Sequence, residues 1–581
     1  MIKKNKTIII WDLETSPGKR PDICLWNKRS TEYFSIINYL DKNPTTSIKN
    51  LLDYFQKIIN TNFFAKPLKN YFTFYKNFSY CDLSFIVEKS FYKNNFLEIL
   101  KVFSLIEVLK KKKINELKVF SKNENLNRFL KIYCIKNKIA FSQMIKNSSK
   151  ISLKKLISLI VFLKPCLNIL IFLYRRISLS GKNKISSNKN IIFSYSENIS
   201  KKSSSVMGSR YWDNVFQNNY SNFVNIFIPS KKFNTLNKLS KEKQFLNKTY
   251  LDRQIDFPII CKIFSCLLTL FLKNMFFLCF SKKIFFYKNL PMWHFIKKDW
   301  KNSFGLFNIF INLYYFFLIE KKIKFINSPK KCFYLLENQP WERALCFFWK
   351  KKFKHKIVGV CHTPLRFWDL RYKNIKNENN KYCRPDLVVL NGKPSFQLFK
   401  KEFSMQKKIK LEPLRYTLPK KIKNNNKLKK TIIIVGDYLH NINLTIVESL
   451  EKISNNFNFN YLYLPHPFNH KTIISKKLNL KTILNKEKLS KYNAYCFIIP
   501  HMSSSALDFY LLSKKIIIFL DNSMPNLSPL YPNKIMHSAH DPKTLQNVLE
   551  TKLRSNNTKN VYSDFFYISK NKKEWKLFLK N

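Results

Sequence analysis

The chain has 581 residues, 45% of them apolar, and 104 Lys and Arg against 36 Asp and Glu give a formal charge of +68. That length leaves room for about three or four domains, and the apolar fraction excludes wholesale disorder. The charge alone would suit a binder of nucleic acid or of anionic membrane, but the excess is lysine, spread along the chain beside abundant Asn, Ile and Phe and only 7 Gly, a pattern that AT-rich codons produce.

No nucleic-acid partner is therefore expected, although a non-catalytic binder of anionic membrane or nucleic acid remains the alternative reading of the charge. The 12 cysteines are scattered with no Cys-x-x-Cys pair, which excludes zinc-ligand spacing and argues for buried thiols in a reducing cytoplasm. Met1–Lys6 is basic, but the apolar run Thr7–Trp11 is too short for a secretory leader and leads straight to Asp12. A cytoplasmic location is expected.

Thr7–Asp12 reads as a first strand ending in a carboxylate, and helical patterns such as Leu97–Lys113 follow. Residues 1–150 thus form an N-terminal α/β region. Two apolar stretches come next. Ile157–Tyr174 has Lys164 and Pro165 in its middle and Arg175-Arg176 at its end, while Phe257–Phe280 carries Lys262 and Lys273 as its charges. Eleven residues is about three helical turns, so those two lysines share one helix face. The interior charges and the proline argue against spanning helices. They fit either amphipathic helices lying on the inner face of the cell membrane, with lysines reaching the headgroups, or ordinary buried helices at a domain border. Residues 151–185 are the helical connector.

Asn190–Ser196 opens an acceptor-side Rossmann-like domain over residues 186–418, with Lys201–Ser205 as its first loop and Gly208–Asp213 after it. Cys332–Leu336 is a strand leading to Glu337, a polar turn and a helix. Ile357–Cys361 repeats the plan and ends at His362, followed by a loop with Thr363, Arg366 and Asp369; Arg384–Leu390 is a third strand, closed by Asn391-Gly392. Strands with polar residues at their C-terminal ends describe the ligand-binding edge of a parallel sheet. A Lys/Asn run over 419–430 is the linker to a second Rossmann-like domain over 431–560, and 561–581 is a C-terminal helix.

The second domain begins with Thr431–Asp437, in which Gly436 follows the strand and lets backbone approach a ligand, or simply makes a tight turn. Neither G-x-G-x-x-G nor G-x-x-x-x-G-K-[ST] occurs, so dinucleotide and P-loop chemistry are excluded at motif level. Two short apolar runs, Tyr461–Leu464 and Tyr495–Ile499, each stop at a proline next to a histidine, and the second leads into Ser503, Ser504 and Ser505. Serines at a helix start cap free N–H groups and, with the helix dipole, favour an anion. A protonatable histidine facing them makes a phosphate site.

This paired pattern resembles the His-Pro and Ser-Ser motifs of bacterial sialyltransferases, polysialyltransferases and capsule Kdo transferases, metal-independent enzymes of two Rossmann-like domains, the GT-B fold. The resemblance implies His466 as phosphate ligand or acid, Pro467 as its positioner, and Ser504 and Ser505 as donors to the phosphate; Ser503 at the helix start and Gly436 after its strand are donor-side candidates by their own positions. The acidic motif of polysialyltransferases, two acids followed by glycine, is missing. Four further segments, Glu337–Glu342, Cys361–Tyr372, Arg384–Asp386 and Pro413–Tyr416, resemble a bacterial family of surface carbohydrate biosynthesis proteins over roughly Ile191 to Pro529.

The expected fold is α/β, two facing Rossmann-like domains with the extra N-terminal region. The expected function is sugar transfer in surface polysaccharide assembly, from a nucleotide-sugar substrate such as a CMP-sugar to a glycan or lipid-linked acceptor, with no cofactor and no metal. Transfer needs a base for the acceptor hydroxyl. Glu337 is the candidate base, although pairing with Arg343 or starting a helix would explain it equally; His362, Arg366 and Asp369 line the acceptor side.

Overall fold

The computed structural model describes residues 7–18, 22–90, 95–145, 157–177, 189–195, 212, 223–228, 248–280, 282–375, 381–403, 405–414, 429–466, 473–484, 489, 491–512, 515–531, 537–551, 565–567 and 572–580. Pro467, the loop Lys201–Ser205, residues 208–211 and 213, and linker residues 419–428 lie outside them.

Three parallel sheets follow one another along the chain. The first contains β1 (Thr7–Trp11), β2 (Ile23–Leu25), β3 (Phe34–Ser35), β4 (Glu116–Phe120) and β5 (Ala140–Gln143), in the spatial order β3-β2-β1-β4-β5. Helix α1 (Phe96–Lys112), the expected helix shifted by one residue, packs on this sheet with eleven buried positions. After α2 (Ile157–Ile177) the second sheet is built from β6 (Asn190–Tyr195), β7 (Phe223–Ile228) and β8 (Lys248–Tyr250). A helical insertion then brings α3 (Phe257–Phe280) and α4 (Leu306–Lys324). The sheet resumes with β9 (Cys332–Leu335), α5 (Pro340–Lys352), β10 (Ile357–Val360), β11 (Leu387–Leu390) and β12 (Lys407–Lys410), giving the order β8-β7-β6-β9-β10-β11-β12. The third sheet has β13 (Lys430–Val435), α6 (His440–Ile453), β14 (Asn460–Leu464), β15 (Lys481–Thr482), β16 (Asn493–Pro500), α7 (Ser505–Leu511), β17 (Ile516–Phe519) and β18 (His537–Ala539), in the order β15-β14-β13-β16-β17-β18.

In the second and third sheets the first strand lies inside, and the chain winds outward first to one side and then to the other. That is the doubly wound order, and it opens a crevice beyond the C-terminal ends of the first and fourth strands. The strands are short runs of Ile, Val, Phe and Tyr buried on both faces, as parallel strands covered by helices must be. The edge strands β12 and β15 carry lysine and expose it, which blocks pairing with another chain. Helix α8 (Lys573–Lys580) crosses back from the third sheet to the second: Trp575 is fully buried there and donates from Nε1 to the Glu412 carbonyl at 2.7 Å.

The N-terminal sheet does not close its core on itself. Its helices and the 257–324 insertion bury one continuous apolar cluster. Tyrosine hydroxyls stitch the seam: buried Tyr54 donates to the Phe285 carbonyl at 3.1 Å, buried Tyr80 to the Ser303 carbonyl at 2.7 Å and half-buried Tyr75 to Glu320 at 2.7 Å. A buried ion pair, Arg343 to Asp82 at 3.3 Å with side chains 2% and 1% exposed, ties α5 to the same region. Arg29 reaches the other way, donating to the Asp521 carbonyl at 3.0 Å and the Met524 carbonyl at 2.6 Å while paired with Asp41 at 2.7 Å. The first 150 residues therefore brace both Rossmann-like domains.

Deleting one partner of a buried ion pair leaves the other charge uncompensated in the interior. Arg343→Ala should lower the free energy of unfolding by about 3 kcal/mol in denaturant titration, even with Lys69 also 3.3 Å from Asp82. A loss below about 1 kcal/mol would show that this pair does not hold the seam.

Candidate active site

The crevice of the third sheet lies between the ends of β13 and β16. Directly after β13 comes Gly436, whose N–H bonds to the Leu464 carbonyl at 2.7 Å. A Cβ there would lie 2.7 Å from the Tyr463 hydroxyl and 3.0 Å from the His466 nitrogen. Glycine is thus required by close approach of the neighbouring strand end, a packing reason separate from both the ligand and the tight-turn readings. Asp437 follows, 5% exposed, with its backbone locked to the Asn443 side chain at 2.8 and 3.0 Å. Burial raises its carboxyl above the usual range, opposed by the Leu439 N–H and by the charges of His466 and Arg366.

His466 stands just past β14 at the rim of this edge, half-buried, its ring 6.3 Å from that of Tyr438 and nearly perpendicular to it. Ser504 follows β16 on the other side of β13. Both strands run parallel to β13, so His466 and Ser504 share the C-terminal edge of one sheet. The Tyr463 hydroxyl, fully buried beside Gly436, has no hydrogen-bond partner among the described residues. A buried, unpartnered hydroxyl at a strand-switch crevice calls for a polar ligand atom or water.

The serines divide their roles. Ser503 is buried and accepts from the Ser505 N–H at 3.3 Å. Ser504 is the helix N-cap residue yet makes no side-chain capping bond, and α7 is only seven residues long. The three hydroxyls therefore do not cap jointly as expected: Ser503 supplies the bond, while Ser504 and Ser505 stay partly exposed at the rim.

Across the cleft the second sheet presents Glu337 after β9 and His362 after β10, adjacent parallel strands. His362 Nε2 lies 3.6 Å from Glu337 Oε1. Gln339 donates to Glu337 Oε2 at 2.5 Å, Tyr195 donates to Gln339, and Trp341 donates to Tyr195 at 2.5 Å. This chain of donors fixes the carboxylate at the end of β9. Glu337 neither pairs with Arg343, which turns to Asn338 and Asp82, nor starts the helix, whose N-cap is Gln339. The neighbouring Glu342 is fully enclosed, and burial, then the Glu337 charge, push its carboxyl well above the ordinary range; it accepts the N–H groups of Glu337 and Asn338 at 3.0 and 2.8 Å.

Arg366 spans the two domains. Its guanidinium donates to the Met502 carbonyl at 2.8 Å, inside the loop that carries the serines, and its charge is felt at Asp437. Asp369 does not face the cleft freely; it accepts the Arg366 N–H at 2.8 Å and pairs with Arg371 at 3.5 Å, so it shapes the loop that presents Arg366. The Arg384–Asp386 segment is likewise structural: Asp386 accepts the Ile357 N–H at 3.1 Å and pairs with Lys350 at 2.9 Å. Among the described residues no three of His, Cys, Asp and Glu gather into a metal-ligating group.

Asp437, Tyr463 and His501 were not anticipated as site residues. A carboxylate directly after Val435-Gly436 was a legible signal, since it repeats the strand-glycine-polar plan. His501 lies at the end of β16, fully buried, accepting the Leu527 N–H on Nδ1 at 3.2 Å. Burial lowers its pKa to about 4, with Asp521 opposing and Arg29 and Arg366 reinforcing the shift.

The imidazole is neutral in the fold, whereas in the unfolded chain it takes a proton below about pH 6.5. Its contribution to stability is therefore complete above pH 6.5 and is lost as pH falls toward 4. The melting temperature of the native protein should drop more steeply between pH 7 and pH 4.5 than that of His501→Asn, which keeps an acceptor for Leu527. Superimposable pH profiles would contradict a neutral, buried His501.

No family model matches the chain, and no curated protein matches it. Among solved structures it is similar to the glycotransferase of kitacinnamycin (7% identity, TM-score 0.36, covering 68% of this chain and 99% of that one). MurG of Acinetobacter baumannii gives 9% identity, TM-score 0.35 and coverage of 68% and 100%. The wall teichoic acid polymerase TagF gives 13%, 0.33, and 72% and 96%. At these values the likeness extends to no substrate and no residue. The strand orders and the facing edges stand on the coordinates themselves: the chain is an α/β protein of two facing Rossmann-like domains, GT-B in type, with an extra N-terminal α/β region.

Proposed function

We propose that this protein is a glycosyltransferase of surface polysaccharide assembly that moves a sugar from a nucleotide donor to a glycan or lipid-linked acceptor. The observation that carries the reading is the pairing across one cleft: an oriented carboxylate, Glu337 with His362, on the second sheet, and the Gly436–His466–Ser504 edge on the third, bridged by Arg366.

In this reading the donor phosphate lies at the third sheet's edge, against the backbone at Gly436, with Ser504 and Ser505 hydroxyls and the His466 imidazole as donors. Arg366 supplies permanent positive charge beside it. Glu337 Oε1 takes the proton of the acceptor hydroxyl while the hydroxyl oxygen attacks the anomeric carbon. The bond from that carbon to the phosphate oxygen breaks, and its electron pair stays on the nucleotide, where His466 and Arg366 offset the new charge. No metal is required for this step. The His-Pro and Ser-Ser pattern favours a CMP-sugar among donors, with Pro467 holding His466.

Transfer by His466→Ala should fall about 100-fold or more, the range for losing one acid or charge-stabilising donor. Its melting temperature should be unchanged, since the side chain stands at a rim and not in the core. In a thermal-shift panel of CMP, UDP, GDP and their sugars, at least one nucleotide should stabilise the native protein and lose that effect in His466→Ala. Full transfer by the variant, or no nucleotide stabilising the native protein, would remove this reading.

A further inference from the structure

Helix α3 has the length and apolarity to cross a membrane, yet one side of it is committed to protein: Ile259, Ile263, Leu267, Leu270 and Phe277 are buried, with α4 its principal neighbour. Its two lysines are held by protein partners at the edge of the exposed face. Lys262 pairs with Glu320 at 3.0 Å over the Phe317 ring, and Lys273 donates to the Thr73 carbonyl at 3.1 Å. Lys273 is half-buried against the N-terminal region, and Lys262, with its side chain 44% exposed, is held at the edge of the helix by its partner on α4. The middle of the outward face carries no charge, and exposed Lys262 stands at its edge.

That face exposes Phe257, Phe264, Leu268, Leu272, Phe276 and Phe280, each 40% or more. Helix α2 extends it. Phe172 of α2 and Phe264 of α3 both pack on the Phe310 ring, at 5.7 and 6.1 Å, so the helices are neighbours, and α2 adds exposed Leu167, Leu170 and Tyr174. Phe64, stacked on Phe276 at 5.5 Å, continues the surface at the far end. A contiguous apolar patch of this extent marks an interaction surface.

The charge around it selects the partner. Neither helix contains Asp or Glu, Asp256 just before α3 is neutralised by Lys321, and exposed Lys164 and Arg175 on α2, Lys66 beside Phe64 and Lys283 after α3 lie on or next to the elements that carry the patch. A second copy of the chain would bring the same positive rim, within a net charge of +68, against its like. An anionic bilayer supplies both the apolar medium and the opposite charge.

We propose that the outward faces of α2 and α3 form a membrane-docking surface that lies flat on an anionic lipid bilayer, with the cationic rim at the headgroups and without spanning. This stands independently of the catalytic reading. It concerns the helical insertion of the acceptor-side domain, the domain that would meet a lipid-linked acceptor, together with the connector helix before it.

The test is co-sedimentation of the full chain with phosphatidylcholine vesicles and with phosphatidylcholine–phosphatidylglycerol vesicles. The protein should pellet with the mixed vesicles, pellet less with the neutral ones, and be released by an alkaline carbonate wash. Leu268→Glu/Leu272→Glu should lower the partition on the order of tenfold or more, because two apolar contacts are lost and negative charge faces negative lipid. If that variant fails to fold by circular dichroism, Phe257→Ser with Tyr174→Ser, both at the most exposed positions of the two helices, should lower it by a smaller factor. No pelleting, a partition untouched by these substitutions, resistance to carbonate, or a self-associated species abolished by them without lipid binding would each overturn the proposal.

Discussion

A parallel strand can be followed by a neighbour only after the chain has returned to the far end of the sheet, and that return is right-handed. When the first strand of such a sheet lies inside, the chain winds outward on one side of it, returns and winds outward on the other, and the loops on either side of that strand part. Everything that can do chemistry here follows from that separation. In the third sheet it places Gly436, His466 and the Ser503–Ser505 turn around one crevice, although they are far apart in the chain. In the second sheet it places Tyr195 and Glu337 on either side of the same kind of gap, where the Trp341–Tyr195–Gln339 donor chain fills it and orients the carboxylate.

The two edges must then be held facing each other. Arg366 does this directly, donating to the Met502 carbonyl, and its loop is shaped by Asp369 for that purpose. The N-terminal region does it from outside: Arg29 and Asp41 grip the 521–531 segment of the third sheet while the Asp82–Arg343 pair grips α5 of the second. His501 sits where these restraints meet, bonded to Leu527 and within the field of both Arg29 and Arg366. Its neutrality keeps a third positive charge out of a crowded interior.

Much of this was legible before any coordinates. Runs such as Tyr461–Leu464 and Tyr495–Ile499 declare themselves as strands because a buried parallel strand must be apolar on both faces, and the proline and histidine after each mark its C-terminal end. The edge strands β12 and β15 gave no such signal, since what makes a good edge is the lysine that hides it. Pairings across long separations were equally silent: nothing local in Asp82 points to Arg343, 261 residues on. Lys262 and Lys273 were readable as one face of a helix, but which way that face turns depends on Glu320 and Thr73. Asp369 looked like a ligand residue and is a loop brace, because a carboxylate after a strand serves backbone N–H groups as readily as substrate.

The central claim is that a nucleotide binds at the C-terminal edge of the third sheet, against the cleft. Amide hydrogen exchange on the full chain, with and without saturating CMP, tests it most directly. The account predicts protection confined to the segments around Gly436–Tyr438, Leu464–His466 and His501–Ser505. Protection at the opposite edge of that sheet, around Asn455–Asn460 and Lys477–Lys481, or at the ends of the second sheet alone, would contradict it.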